Sequence, residues 1–117
     1  MSNLPGCFDW PDQYAGDTAP WQQFTLSENG APIVLTDATI KMQVRIRTQT
    51  TPIIDNTSVA SAGIEITDAA NGVFRVGGYT NPDMNVVGEY DIEVTFPSGE
   101  VKTYLKGDYP ISKQVTK

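Results

Sequence analysis

The chain contains no histidine and only one cysteine. Without histidine, the commonest general base and a principal zinc ligand are missing. A lone Cys7 allows no internal disulfide, so a fold held together by cystines is excluded. As a nucleophile Cys7 would need a base beside it, and no imidazole exists to serve. Positive charge is scarce too: eight Lys and Arg stand against fourteen Asp and Glu, for a net charge of −6. All eight lie at or after Lys41, so the first forty residues are purely acidic in charge. Affinity for phosphate backbones comes from clustered Lys and Arg, so no nucleic-acid partner is expected. No apolar run approaches the roughly 20 residues of a membrane helix, so no membrane insertion is expected. The opening "MSNLPGCFDW" has neither the basic n-region nor the apolar h-region of a secretory signal.

What the chain does have is punctuation and alternation. At 117 residues, with ten Gly and eight Pro, it fits one turn-rich domain. Ile40, Met42, Val44 and Ile46 alternate with Lys41, Gln43, Arg45 and Arg47, the period-two signature of a half-buried strand. In "GEYDIEVTFPSGEVKTYL", Tyr90, Ile92, Val94 and Phe96 alternate with Glu89, Asp91, Glu93 and Thr95 up to a Pro97-Ser98-Gly99 turn, and a partner strand follows from Val101. The basic face of the first strand and the acidic face of the second would stabilise one another across a sheet, so the two are predicted to be neighbours. Further strands are expected at residues 21–27, 32–36, 64–66 and 73–76, with turns at Asn29-Gly30 and Asn71-Gly72. Residues 48–62 read as a polar loop in which Ile53 and Ile54 form a short edge segment, and "YTNPDMNVV" reads as a polar connection. Gly107 is expected to permit a bend in the last strand. About seven short strands and no helical period predict an all-β fold, an immunoglobulin-like antiparallel β-sandwich without a disulfide.

Two parts are expected: residues 1–13 as an N-terminal arm or edge strand, and residues 14–117 as the single sandwich domain. Phe8, Trp10 and Tyr14 occupy even positions and would share one face of an extended segment. They belong either to a first strand docked on its own domain or to an arm, from Leu4 to Tyr14, that engages another protein. In the second case Phe8 and Trp10 are the anchors, and Asp12 and Tyr14 complete the partner-binding set.

Other chemistry is poorly supported. Asp9 with Asp12, or Glu89 with Asp91 and Glu93, could be an acid–base pair, but the latter three alternate on a solvent face, where charge serves solubility and pairing. The oxygens around Asp55 and Asp68 are too sparse for a calcium loop. Gly77-Gly78 lacks the Lys-Ser/Thr of a phosphate loop. No cofactor, no metal and no enzymatic activity are expected.

The stretch "GDTAPWQQFTLSENGAPIVLTDATIKMQVR", residues 16–45, resembles the N-terminal domain of phage baseplate upper proteins and related small tail and neck proteins. The shared elements are Gly16-Asp17-Thr18, a strand with Phe24 and Leu26, the Asn29-Gly30 turn, Leu35-Thr36-Asp37-Ala38 and a strand running into basic residues. "ITDAANGVFRV" and "GEYDIEVTFPSGEVKTYLKGDYPISKQVT" are similar to the ending of such domains. The resemblance implies a structural virion protein of a tailed phage, made in the host bacterial cytoplasm. It would dock other baseplate, tail or neck proteins, and it would be oligomeric within the particle. In baseplate upper proteins this domain precedes receptor-binding parts, so only the docking half is expected here. A capsid decoration or head-fibre protein is the alternative within the virion. A carbohydrate-binding module with Trp21, Tyr79 and Tyr104 as stacking rings is the alternative outside it.

Overall fold

The computed structural model describes residues 6–113, with side chains from Phe8 onward; residues 1–5, Leu4 of the expected arm among them, the Cys7 thiol and residues 114–117 lie outside the described set. The chain is all-β. Its strands are β1 (Gly6–Cys7), β2 (Gln13–Tyr14), β3 (Gln22–Thr25), β4 (Ser27–Glu28), β5 (Ala31–Pro32), β6 (Thr39–Arg45), β7 (Ile54–Thr57), β8 (Ile64–Asp68), β9 (Val73–Val76), β10 (Val86–Thr95) and β11 (Val101–Ser112). Single 3-10 turns at Val59–Ser61 and Ala69–Asn71 are the helical elements among the described residues.

A large sheet runs β1-β11-β10-β6-β7, with β2 also paired to β11; β3-β9-β8 form a smaller sheet and β4-β5 a separate hairpin. This corrects the sequence expectation in two respects. The strands number eleven among the described residues rather than about seven, because several are two-residue pieces interrupted by Pro and Gly. The large sheet is mixed rather than antiparallel, because β1 and β2 both join β11 in parallel. An isolated bridge between Thr57 and Gly63 ties the β7 edge to the start of β8 and gives the fold the character of a half-barrel.

The charge-based neighbour prediction holds residue by residue. In the antiparallel β10–β6 ladder Glu89 faces Arg45, Asp91 faces Gln43 and Glu93 faces Lys41. The hairpin of β10 and β11 also forms as expected: Phe96 N–H donates to the Glu100 carbonyl at 2.8 Å, and Gly99 takes φ +94° in the turn. β11 does not bend at Gly107, as expected from sequence, but continues to Ser112. Glycine is needed there for another reason: a Cβ on Gly107 would lie 2.3 Å from the Phe8 carbonyl oxygen. The expected strand at residues 32–36 shortens to β5; beyond it Leu35 turns into the core and Asp37 adopts φ +61°.

Ile40, Met42 and Val44 of β6 and Tyr90, Ile92 and Val94 of β10 point inward from the large sheet, as the period-two pattern requires. They meet Ile64, Phe74 and Val76 of the smaller sheet in one core. At its centre lies an aromatic cluster in which Trp10 touches the rings of Phe8, Phe24, Tyr90 and Tyr109 at centroid distances of 5.7, 5.5, 5.1 and 5.5 Å.

Candidate docking face

The four residues expected to bind a partner part company in the structure. Trp10 is 3% exposed and Phe8 is half-buried, both within the aromatic cluster, so these two rings serve the domain's own core and are not free anchors. Asp12 and Tyr14 remain on the surface, Tyr14 at 48% exposure. The even-numbered residues fail to share a face because the segment slips against β11. Cys7 pairs with Lys106 and Gln13 with Ile111, so six steps of the N-terminal chain match five of β11. One extra residue around Pro11 reverses the alternation, as a bulge does. Gln13 consequently turns inward and Tyr14 outward.

The segment is held along its length. Phe8 and Trp10 donate backbone N–H bonds to the carbonyls of Lys106 and Asp108 at 3.1 and 2.9 Å, and Ala15 donates to Ser112 at 2.9 Å. The Tyr90 hydroxyl donates to the Phe8 carbonyl, and the Asp9 carboxylate accepts from the Asp108 N–H at 3.1 Å.

A buried polar chain locks Gln13. The Tyr109 hydroxyl donates to Asn81 Oδ1 at 2.6 Å, so in the 2.7 Å contact between the two phenols Tyr79 is the donor. Asn81 Nδ2 donates to Gln13 Oε1 at 3.1 Å, and Gln13 Nε2 donates to the Pro11 carbonyl at 2.9 Å. Burial raises the Tyr79 pKa to about 12, with the neighbouring Tyr109 and Asn56 side chains working in the opposite direction. Burial, and then the proximity of Tyr79, raises that of Tyr109 as well. Asn56 Nδ2, buried beside this chain, has no acceptor at hydrogen-bonding geometry. Both phenols are therefore neutral structural groups at ordinary pH. The sequence reading of "YTNPDMNVV" as a plain polar connection missed the core roles of Tyr79 and Asn81; an aromatic residue two positions from an Asn, after Gly77-Gly78, was the only available signal.

Outward-facing residues of the large sheet form a candidate docking surface. At the end near β2, the register sets Tyr14 beside Ser112 and Val87 beside Pro110, and Val87 is 61% exposed. Farther along lies an open groove of about 430 Å³ between residues 46–49 and the Lys106–Asp108 part of β11. Its floor is charged in both senses. Arg47 pairs with Glu89 at 2.6 Å, and Arg45 Nε donates to the Thr50 carbonyl at 3.0 Å, holding the loop over the sheet. Glu89, Asp91 and Glu93 stand along one face of β10 opposite Arg45, Gln43 and Lys41 of β6, as a solvent face dictates. Among the described residues, no group of three or more His, Cys, Asp or Glu side chains could hold a metal ion.

The three rings proposed for sugar stacking do not form one platform. Tyr79 is hydrogen-bonded into the core, and Tyr104, the extra residue in a β11 bulge opposite Ile92 and Glu93, packs edge-on against Phe96. Trp21 alone is open, at 43% exposure, with the Arg75 guanidinium 4.0 Å from its ring and Arg75 in turn bonded to Glu65 at 2.6 Å. Among the described residues, no helix is long and apolar enough to cross a membrane. A comparison of the chain with protein-family models and with curated proteins found no match.

Proposed function

We propose that this chain is a structural virion protein of a tailed phage, a non-enzymatic baseplate, tail or collar module that docks other virion proteins. The reading takes the domain as a variant of the immunoglobulin-like sandwich, supported by two sheets that share one aromatic core. One observation carries the docking role. The N-terminal segment is fixed by backbone bonds and by the Gln13–Asn81–Tyr109 chain, yet it presents Asp12 and Tyr14 outward, on the same face as the exposed Val87 but across β11 from it. A tyrosine on a backbone held in place loses little entropy on binding, which suits an interface anchor. The neighbouring acidic side chain favours a basic partner and speeds encounter.

The test is incorporation into purified particles. Tyr14→Ala combined with Val87→Asp leaves the core untouched and is expected to deplete the protein from particles while its thermal unfolding is unchanged. Incorporation at the wild-type level would rule out this docking patch, and absence of the wild-type protein from particles would rule out the virion role. Copy number separates the sites within a particle. A few to about a dozen copies match the closed rings of a tail or neck, whereas hundreds place the protein on the capsid.

A further inference from the structure

The charges on the outer face of the large sheet form a pattern that is antisymmetric about the seam between β6 and β10 except at Gln43, which stands opposite Asp91. One cross-strand row reads, from β7 to β11, Asp55, Gln43, Asp91 and Lys106. The next reads Thr57, Lys41, Glu93 and Thr103. Lys41, Glu93, Asp55 and Lys106 hold no ion pair within the chain among the described residues. They are solvated charges in a fixed lattice.

We infer that this face binds a second copy of the chain, stacked about a two-fold axis that runs along the strands midway between β6 and β10. Rotation by 180° about that axis exchanges the places of β6 and β10, and those of β7 and β11, while keeping every row at its own height. Lys41 then faces Glu93 of the second copy, and Lys106 faces Asp55 of the second copy. Gln43 faces Asp91, an amide against a carboxylate, and Thr57 faces Thr103. Each contact occurs twice, as an isologous interface requires. In neither of the two complete rows does a charge meet its own sign. Sheet twist alone does not spoil the fit: a twisted sheet is saddle-shaped, and this rotation gives the second copy the same twist, so that contact is closest along the seam between β6 and β10 and opens outward with the curvature of the half-barrel.

The interface is small. Four strands at about 4.8 Å and five residues at about 3.3 Å give a face of roughly 300 Å² in projection on each copy, below the range of stable specific interfaces. Its charges are only partly desolvated, so salt weakens it. The association is therefore weak, and it matters where copies are held close together. It does not depend on the virion role, because it is a property of the purified chain.

Sedimentation analysis of the purified protein at rising concentration and low salt tests this. Dimers are expected at concentrations up to about 1 mM and are expected to dissociate as salt is added. Lys41→Glu alone, or Glu93→Lys alone, sets like charges against each other twice and is expected to weaken dimerisation at least about 100-fold. The decisive step is to mix the two single variants. One chain then carries Glu at both positions and the other Lys, so a heterodimer restores both contacts although neither variant self-associates. Heterodimer formation supports the axis, since a contact within one chain cannot be repaired by mixing. A wild-type monomer over the whole range, a dimer indifferent to both substitutions, or a mixture that stays monomeric would each overturn it. Circular dichroism confirms folding of the variants, and the pair Lys106→Glu with Asp55→Lys repeats the test at the outer columns.

Discussion

Replacing Trp10 with alanine is expected to cost about 4–5 kcal/mol of folding stability. Truncating a buried Trp typically costs about 3–5 kcal/mol, and the upper half of that range applies because four rings lose their partner. Phe8, Phe24, Tyr90 and Tyr109 all lie within 5.7 Å of the indole centroid, and aromatic pairs contribute about 0.5–1.5 kcal/mol beyond their buried area. A chain of this length is stable by roughly 6–18 kcal/mol, so the substitution removes a substantial fraction and lowers the melting temperature by roughly 15–20 °C. Equilibrium unfolding in urea, followed by circular dichroism in both the parent and the variant, measures the loss. Tyr14→Ala, four residues away but facing solvent, is the control and is expected to change stability by no more than about 0.5 kcal/mol. A loss below about 1 kcal/mol for Trp10→Ala would refute the placement of this ring in the core and restore the picture of a free arm.

Gly107→Ala sets a Cβ against the Phe8 carbonyl, so a cost of about 1–3 kcal/mol is expected, together with faster hydrogen exchange of the Phe8 and Trp10 amides; normal protection of both would show that the segment tolerates the side chain. The folded protein keeps Tyr79 protonated up to about pH 12, whereas the unfolded chain releases that proton near 10. The unfolded state thus binds fewer protons across this window, and stability is full below pH 10 and falls as pH rises toward 12, by about 1.4 kcal/mol per unit for this group. Tyr109 adds to the decline, and Tyr79→Phe is expected to flatten it in alkaline titrations followed by circular dichroism. Gln13→Leu leaves Asn81 Nδ2 buried without its acceptor and is expected to cost about 1–3 kcal/mol, a loss that chemical denaturation would register. Arg75→Ala uncovers Trp21, and acrylamide quenching of a Trp10→Phe background is expected to rise; unchanged quenching would mean that the stacking does not order the ring.

Legibility from sequence followed the physics of alternation. β6 and β10 could be read and even set side by side, because one face of each is buried and the other charged, so position, direction and neighbour were all encoded in residue type. The Asn71-Gly72 and Pro97-Ser98-Gly99 turns were equally plain, since their residues suit those backbone angles. The N-terminal segment was not. Its aromatics have the right period, but one extra residue around Pro11 separates Trp10, which enters the core, from Tyr14, which does not. A single-residue slip leaves no compositional trace. Tyr79, Asn81 and Gln13 were missed because polar residues in a Pro-containing stretch look like solvent-facing loop, and only the tertiary fold supplies their mutual partners. The outer-face charges were legible as a pair of strands, but their antisymmetry emerged only when β7 and β11 were placed on either side.

Parallel pairing of the N-terminal segment with β11 has a mechanical consequence. The first described strand and the last run in the same direction side by side, so a load that pulls the two ends of the domain apart drags them past one another along their length. The bonds from Phe8, Trp10 and Ala15 to β11 then share the force together instead of opening one by one. Trp10, seated across the line of sliding, acts as a detent that must leave the core before the strands can move. A module built this way resists stretching between its ends far better than a hairpin of the same bond count pulled open from its tips.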